Sequence, residues 1–250
     1  MILLIAIWWL IAWVWQLPRS VLPTPLDVVK TFPVLLFGRD GGMSFENLST
    51  NVLWHAWRSI RLNVLSYLEA VTIAIPCGLI IGLFGPIKAL TEREMTGFRY
   101  LPITAFTSLI ITWFGISTLA KVQFLSLGVI VYLLPVVIAR VQEVPQIYLD
   151  TAKTSGATRW QRIRTVIWPM VSGPLSEDCK NLLPITWTYL VIAEGFNLNE
   201  GGLGALISNF GRASRFDFVF ALVFIMLIIG FCQDKIWTSF NKWRFPWLYR

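Results

Sequence analysis

Charged residues, histidine and cysteine are all scarce in this sequence of 250 residues. Lysine, arginine, aspartate and glutamate together make up 14% of the chain, whereas in soluble globular domains they approach about a quarter. This shortage excludes an ordinary soluble domain. Cys77, Cys179 and Cys232 are widely separated and follow no C-x-x-C or Cys/His spacing, which argues against a zinc site and against a disulfide framework. The single His55 cannot form a metal cluster, and we expect it at a solvated or interfacial position.

The sequence also lacks a phosphate-binding loop and any cluster of catalytic residues. No G-x-x-x-x-G-K-[ST] stretch occurs, so the usual cradle for ATP phosphates is absent. With scattered acids and one histidine, no D-x-x-x-D or H-x-x-x-H pair and no Ser/His/Asp set is visible. We therefore expect no enzymatic activity in this chain, no cofactor and no metal.

Hydrophobic residues are abundant instead, at 56% of the chain. A bilayer core about 30 Å thick needs about 20 apolar residues per helix, because each backbone polar group must be satisfied within the segment. The sequence therefore predicts an all-α integral membrane bundle with about six transmembrane helices. The first is interpreted as an anchor helix, with a signal peptide as the alternative. The predicted spans are Met1–Leu17, Asn63–Pro86, Tyr100–Ala120, Val122–Ala139, about Pro169–Ala193 and about Phe218–Lys235.

Between the first two spans, the stretch NVLWHAWRSIRLNVL is amphipathic. Leu53, Trp57, Ile60 and Val64 recur at helical spacing, which predicts a helix that lies at the membrane interface.

The formal net charge of +7 is interpreted as coming from basic residues that fix the orientation in the membrane, rather than from a surface that binds nucleic acid. With the N-terminus inside, twelve of the 21 basic residues fall on the cytoplasmic side, which satisfies the positive-inside rule modestly. Lys121 is then an isolated charge in an outer loop, and the segment 145–170 lies in the cytosol.

This cytoplasmic segment has the pattern of two short helices. PQIYLDTAKTS begins at Pro145 and stops at Gly156, whose missing Cβ permits a left-handed cap. In ATRWQRIRTV, Trp160, Ile163 and Ile167 form an apolar stripe opposite Arg159, Arg162 and Arg164, and Pro169 is expected to fix the far end. The stripe needs lipid headgroups or a partner protein to cover it.

The spacing in this segment resembles the E-A-A-x-x-x-G-(x)9-I-x-L-P signature of permease subunits of ABC importers. The matching positions are Asp150, Thr151, Ala152, Gly156, Val166, Trp168 and Pro169. Asp150 replaces the glutamate of the signature, and Trp168 replaces its leucine.

Three further stretches resemble the permeases for nitrate, taurine, alkanesulfonates and bicarbonate. They are VLPTPLDVVKTFPVL, YLPITAFTSLIITWFG and TWTYLVIAEGFNLNEGGLGALI. Trp187, Glu194, Gly202 and Gly204 match the last pattern, whereas Ser108 stands where a second proline is usual. The resemblance extends from about Val21 to Asp234.

The resemblance implies a type I ABC importer permease in a bacterial inner membrane, forming one multi-pass domain over residues 1–250. It implies separate ATPase subunits that use Mg-ATP, a second permease copy in a homodimer, an extracytoplasmic substrate-binding protein and surrounding lipid. Residues 145–170 would form the coupling loop that docks on the ATPase. The coupling residues implied are Asp150, Ala152, Gly156, Ala157, Thr158, Arg159, Trp160, Arg162, Ile163 and Pro169.

Polar residues within the spans are candidates for the translocation path, because a charge that faces lipid costs several kcal/mol, on the order of 2.5 to 3.5. Glu177, Asp178 and Lys180 either line this path or belong to the solvated cytoplasmic end of a helix that starts later. The full set of path candidates is Ser108, Thr112, Trp113, Lys180, Thr186, Trp187 and Glu194.

Two alternatives remain open from the sequence. One is an integral-membrane enzyme that modifies lipid, and the other is a non-transporting partner in a permease heterodimer. The sequence does not name the transported solute.

Overall fold

The computed structural model describes residues 2–15, 18, 21–37, 51–98, 100 and 102–249 of the chain. Met1 and Leu17, which bound the first predicted span, lie outside these ranges, and so do four of the 21 basic residues, Arg19, Arg39, Arg99 and Arg250.

The described residues form helices and contain no strand, so the predicted all-α class is confirmed. Short 3₁₀ turns at Ile103–Phe106, Leu198–Glu200 and Pro246–Leu248 and a π turn at Ile163–Ile167 connect or extend the α-helices. The α-helices are α1 (Ile2–Val14), α2 (Pro25–Phe37), α3 (Val52–Leu83), α4 (Gly85–Phe98), α5 (Thr107–Phe114), α6 (Thr118–Gln142), α7 (Gln146–Thr154), α8 (Arg159–Arg162), α9 (Trp168–Glu194), α10 (Leu203–Arg212) and α11 (Phe216–Arg244).

Among the described helices, α3, α6 and α11 are long and apolar enough to cross a bilayer. Helix α9 has 27 residues, about 40 Å at 1.5 Å per residue, but it carries Glu177, Asp178, Lys180 and Glu194. The described part of the first predicted span, α1, has 13 residues. Half of the six predicted spans therefore correspond to helices that meet both requirements.

Helix α3 differs from its prediction because it is one continuous helix of 32 residues. The stretch predicted to lie along the interface forms the first turns of this helix instead. No glycine or proline separates Leu53 from Asn63, and the polar residues His55, Ser59 and Asn63 are fully buried against neighbouring elements. Because these contacts satisfy the polar side of the stretch, no turn onto the membrane surface is needed.

The predicted span Tyr100–Ala120 is also wrong as a single helix. The chain forms a 3₁₀ turn and the eight-residue α5, which ends at Gly115 with φ of +69°. Helix α6 then starts at Thr118, where the Ser117 hydroxyl caps it by accepting a hydrogen bond from the Ala120 N–H at 3.2 Å. Lys121 consequently lies inside α6 rather than in a loop.

The helices of the bundle pack closely where α3 meets α6. A Cβ placed on Gly78 would lie 2.6 Å from Cβ of Val137, and one on Gly82 would lie 3.0 Å from Cβ of Val141. Small residues allow two helix backbones to approach in this way. A buried apolar cluster from α3, α6 and α9 surrounds this contact.

Helices α3, α6 and α11 run in one direction and α9 runs back between them. The start of α6 therefore meets the residues after α9, through Lys121 and Glu200, while its last turns meet Asp178 through Arg140. We name these two parts of the bundle the Glu194 end and the Asp178 end. In the predicted topology, the Glu194 end faces outward.

Candidate functional site

The segment 145–170 begins as predicted. Helix α7 follows Pro145, and Gly156 adopts φ of +79°, a conformation that favours glycine. The Thr158 N–H donates to Oε1 of Gln161 at 2.8 Å, and the Gln161 N–H donates to the Thr158 hydroxyl at 3.3 Å. This capping box fixes the start of α8.

The expected end at Pro169 is wrong. Helix α8 continues through the π turn Ile163–Ile167 into α9, whose second residue is Pro169. Proline is tolerated in the first turn of a helix, so it does not end this one. The short helix is consequently joined to α9, and displacement of α8 would reach α9 through the π turn.

The apolar stripe of the segment is divided between the bundle and the surface. Ile167 is buried and Ile163 is half-buried, and both pack on the cluster between α3, α6 and α9. Trp160 is 69% exposed. Ile147 and Tyr148 of α7 are also exposed. The stripe therefore needs less covering than predicted, but an exposed apolar surface made of Ile147, Tyr148 and Trp160 remains.

The other predicted coupling residues lie at or near the surface. Asp150, Gly156, Thr158, Arg159 and Pro169 are exposed, whereas Ala152, Ala157 and Arg162 are half-buried.

Asp178 belongs to a network of charges that ties α9 to α6. Nε of Arg140 donates to Oδ2 of Asp178 at 2.6 Å, and its Nη2 donates to Oδ1 at 2.9 Å. Nη1 of Arg140 also lies 2.8 Å from Oε2 of Glu143. Such a bidentate pair is directional as well as electrostatic.

Glu177 and Lys180 form an ion pair one turn apart on α9. Oε2 of Glu177 also accepts hydrogen bonds at 2.8 Å from Nδ2 of Asn241 and from the Tyr249 hydroxyl. Because α9 begins at Trp168, the alternative that Glu177, Asp178 and Lys180 form the end of a later helix is wrong. All three residues lie within α9 and bind other side chains of this chain, and whether Lys180 lines the path stays a prediction.

Thr186 and Trp187 take part in a polar layer within the bundle. Nδ2 of Asn63 donates to the Thr186 hydroxyl at 2.7 Å, Nε2 of Gln233 donates to Oδ1 of Asn63 at 3.3 Å, and the Trp187 indole donates to Oε1 of Gln233 at 2.7 Å. The layer joins α3, α9 and α11, which suits polar groups far from water.

The predicted path residues of α5 do not belong to this polar layer. Ser108 and Thr112 are exposed, and Trp113 is 68% exposed. The Thr112 hydroxyl donates to the Ser108 carbonyl at 2.7 Å. The structure therefore does not bring the predicted path residues together into one lining.

Glu194 lies at the end of α9 and is fully buried. Its Oε1 accepts a hydrogen bond from the Ser59 hydroxyl at 2.6 Å, and its Oε2 accepts one from the Gly204 N–H at 2.6 Å. Nδ1 of His55 accepts from the Gly202 N–H at 2.9 Å, and the Ser59 hydroxyl accepts from the Leu203 N–H at 2.8 Å. Three successive N–H groups at the start of α10 are thus satisfied by side chains from α3 and α9.

His55 and Ser59 accept hydrogen bonds from the start of α10, a role that the sequence did not indicate. His55 is completely buried, so the expectation of a solvated or interfacial histidine is wrong. The signal available in the sequence was their spacing, since residues i and i+4 share one face of a helix. A polar pair at that spacing in an apolar helix indicates a buried partner.

A cavity of about 380 Å³ opens at the Glu194 end, between the first turns of α3 and of α6. We name it the Arg61 pocket. It is lined chiefly by Trp54, Trp57, Arg58, Arg61, Lys121 and Glu200, with Glu194 at its inner side.

Lys121 and Glu200 form the inner ion pair of this pocket. Nζ of Lys121 lies 2.8 Å from Oε2 of Glu200, and the Lys121 side chain is 2% exposed. Burial raises the pKa of the Glu200 carboxyl, but the hydrogen bond and the charge of Lys121 outweigh burial, so that its pKa lies below the ordinary value. The carboxylate is therefore ionised and neutralises Lys121.

A family model described as the binding-protein-dependent transport system inner membrane component matches residues 74–243. This match covers most of the chain, including the segment 145–170 and the ends of α9. The chain belongs to this family.

The permease resembles named relatives along nearly its whole length. It is 27% identical over 248 residues to the taurine transport system permease protein TauC of Escherichia coli (strain K12), which covers 98% of this chain and 86% of TauC. It is 25% identical over 245 residues to SsuC of Bacillus subtilis (strain 168), a permease assigned to aliphatic sulfonate transport, which covers 96% of this chain and 84% of SsuC. The resemblance to taurine and sulfonate permeases is thus confirmed.

The fold has a counterpart among solved structures. A chain of the inward-facing MetNI methionine ABC transporter is similar with a TM-score of 0.60 and 18% identity, covering 79% of this permease and 99% of that chain. The family match and the named relatives make the permease a multi-pass inner-membrane component of an ABC transport system, and this structural likeness shows that it shares the fold. Membership in a family of transport components does not support the alternative of a lipid-modifying enzyme.

Proposed function

We propose that the permease forms the translocation path of an ATP-driven importer for a small anion. Taurine and other organosulfonates are the first candidates, followed by nitrate and bicarbonate. The observation that carries this proposal is similarity over nearly the whole chain to permeases named for taurine and for aliphatic sulfonates. The cationic pocket at the Glu194 end supports an anionic solute.

The energy for transport comes, in this proposal, from separate ATPase subunits that bind Mg-ATP. They dock at the Asp178 end on the exposed surface of Ile147, Tyr148 and Trp160. The capping box at Thr158 holds α8 rigid at its start, and the continuous connection to α9 carries the ATPase motion into the bundle. An extracytoplasmic binding protein delivers the solute at the Glu194 end, and a second copy of the permease completes the path.

Uptake in cells tests the proposal. Deleting the gene should abolish ATP-dependent uptake of radiolabelled taurine, ethanesulfonate, nitrate or bicarbonate, and restoring the gene should return it. Full uptake of all four anions without the gene would contradict the proposal. If this permease co-purifies with an ATPase but the cells import the anions only when a different permease is present, this chain would instead be the non-transporting partner of a heterodimer.

A further inference from the structure

The Arg61 pocket has two tryptophan–arginine pairs along one face of α3. Trp54 and Arg58 are four residues apart, as are Trp57 and Arg61, so each pair lies one helical turn apart. The guanidinium carbon of Arg58 lies 5.0 Å from the centre of the Trp54 ring, a cation–π distance. The pocket thus places two cationic groups beside two apolar aromatic surfaces.

The two acids of the pocket are already bound by other groups. Glu194 accepts hydrogen bonds from Ser59 and from the start of α10. Glu200 binds Lys121 and accepts hydrogen bonds at 3.3 Å from the Thr118 hydroxyl and from Nδ2 of Asn197. Within the described residues, neither carboxylate forms an ion pair with Arg58 or Arg61, although the charge of Arg58 contributes to lowering the pKa of Glu200.

Arg58 and Arg61 keep their donor groups available. Within the part of the chain that the structure describes, neither guanidinium makes a hydrogen bond or an ion pair, and Arg61 is exposed. The lining holds the cations Arg58, Arg61 and Lys121 and the carboxylates Glu194 and Glu200, so cations outnumber acids, and Lys121 is the cation that forms the ion pair with Glu200. An arginine presents a fork of N–H donors that matches the oxygens of an oxyanion.

We infer that the Arg61 pocket binds a small organic anion, with its oxyanion group held by Arg58 and Arg61 and its apolar part against Trp54 and Trp57. The choice of a sulfonate as that anion rests on the proposed function. A cavity of about 380 Å³ lies within the range of small-molecule sites, about 300 to 1,000 Å³. At the Glu194 end, this site receives the solute before it enters the bundle.

Calorimetric titration of the purified full-length permease with ethanesulfonate tests the site. Ethyl methyl sulfone, which has a similar shape and no charge, is the matched ligand control. We expect ethanesulfonate to bind and the sulfone not to bind. Arg58→Gln and Arg61→Gln should each raise the Kd at least about tenfold, and Arg61→Lys should raise it less because the charge remains. Equal affinity for the two ligands would overturn the inference.

Arg212→Gln is the control variant, because Arg212 is an exposed arginine at the same end in the last turn of α10. It should leave the Kd unchanged. A loss of binding in Arg212→Gln equal to that in Arg61→Gln would indicate general charge attraction and overturn the site. Unchanged gel-filtration profiles of the variants show that they fold.

Lipid phosphates offer the same oxyanion chemistry, and nanodiscs distinguish that source. In phosphatidylcholine nanodiscs with and without phosphatidylglycerol, the Kd for ethanesulfonate should be the same. A Kd that rises with phosphatidylglycerol in the wild type, but not in Arg61→Gln, would show that a lipid headgroup occupies the pocket and would overturn the inference.

Transport separates this inference from the proposed function. If the double variant Arg58→Gln/Arg61→Gln imports sulfonate with an unchanged KM, the pocket is not the solute site although the permease transports. If uptake of all four anions is unchanged without the gene but the purified permease binds ethanesulfonate through the arginines, the site stands and the proposed function falls.

Discussion

The carboxylate of Glu194 accepts a hydrogen bond of 2.6 Å from the backbone N–H of Gly204, which joins the end of α9 to the start of α10. The same carboxylate binds Ser59 of α3. One buried side chain therefore fixes three helices at the Glu194 end, and the Arg61 pocket lies directly beside them.

Replacing Glu194 by alanine should destabilise the permease. The change leaves the Gly204 N–H and the Ser59 hydroxyl without their acceptor, and each unsatisfied buried donor costs about 1–3 kcal/mol. Glu194→Gln keeps one acceptor oxygen and should cost less. Unfolding of the purified permease in detergent measures both effects, and wild-type stability in Glu194→Ala would contradict the assigned role.

Gly202 should tolerate no side chain. Its φ of +118° disfavours other residues, and a Cβ would lie 2.3 Å from the Glu194 carboxyl carbon. Gly202→Ala should therefore lower the unfolding free energy by at least about 2 kcal/mol. Gly211→Ala in α10 is the control: nothing lies within 4 Å of its Cβ position, so it should stabilise the helix by about 0.5–1 kcal/mol.

Arg140 and Asp178 should show a measurable coupling energy. Their side chains are 32% and 18% exposed, so water weakens the pair less than it weakens a fully exposed pair. A double-mutant cycle with Arg140→Met and Asp178→Asn should give a coupling of about 1 kcal/mol or more. Glu143→Gln removes the pair with the exposed Glu143 and should change stability by less than about 0.5 kcal/mol. A coupling near zero for Arg140 and Asp178 would contradict a stabilising ion pair between α6 and α9.

Substitutions at Trp160 and Ile167 should distinguish an effect on ATPase docking from an effect on the stability of the permease. Trp160→Ala removes an exposed ring, so we expect a change in stability below about 0.5 kcal/mol together with loss of ATPase co-purification. Ile167 is 3% exposed, and Ile167→Ala should cost about 2–5 kcal/mol. Retention of the ATPase by Trp160→Ala would argue against docking on this surface.

The Lys121–Glu200 pair should make the Glu194 end sensitive to acid. The pKa of Glu200 is lowered in the folded state, so the stability it supplies is present above its unfolded pKa and is lost as pH falls through the folded value. The unfolding free energy should therefore decrease as the pH falls below the ordinary value of 4.5. Glu200→Gln should show a smaller decrease over the same interval, and an identical pH profile would contradict the pair.

Much of the fold could be predicted from local patterns. The apolar runs indicated a helical membrane protein, and the turn at Gly156 followed from a pattern within twelve residues. The residues at which helices begin and end were less predictable. The polar face of residues 51–65 gave no indication whether water, lipid or another helix would satisfy it, and Pro169 is compatible both with a helix end and with a first turn.

The candidate site depended on residues distant in the chain. The predicted path residues separated into exposed positions on α5, a buried polar layer, the ion pair of Lys180 with Glu177 and the cap of α10, because α5 packs on α6 while the others lie along α9.

The sequence by itself determined the class of the protein: its apolar composition indicates a membrane protein, and short motifs resemble those of one permease family. Only the tertiary structure decided that Ser59 binds Glu194 across 135 positions, and that Lys121 pairs with Glu200 while, within the described residues, Arg58 and Arg61 form no ion pair. The physical reason is that local periodicity fixes which face of a helix is polar, whereas the partner that satisfies that face is chosen by packing among helices far apart in the chain.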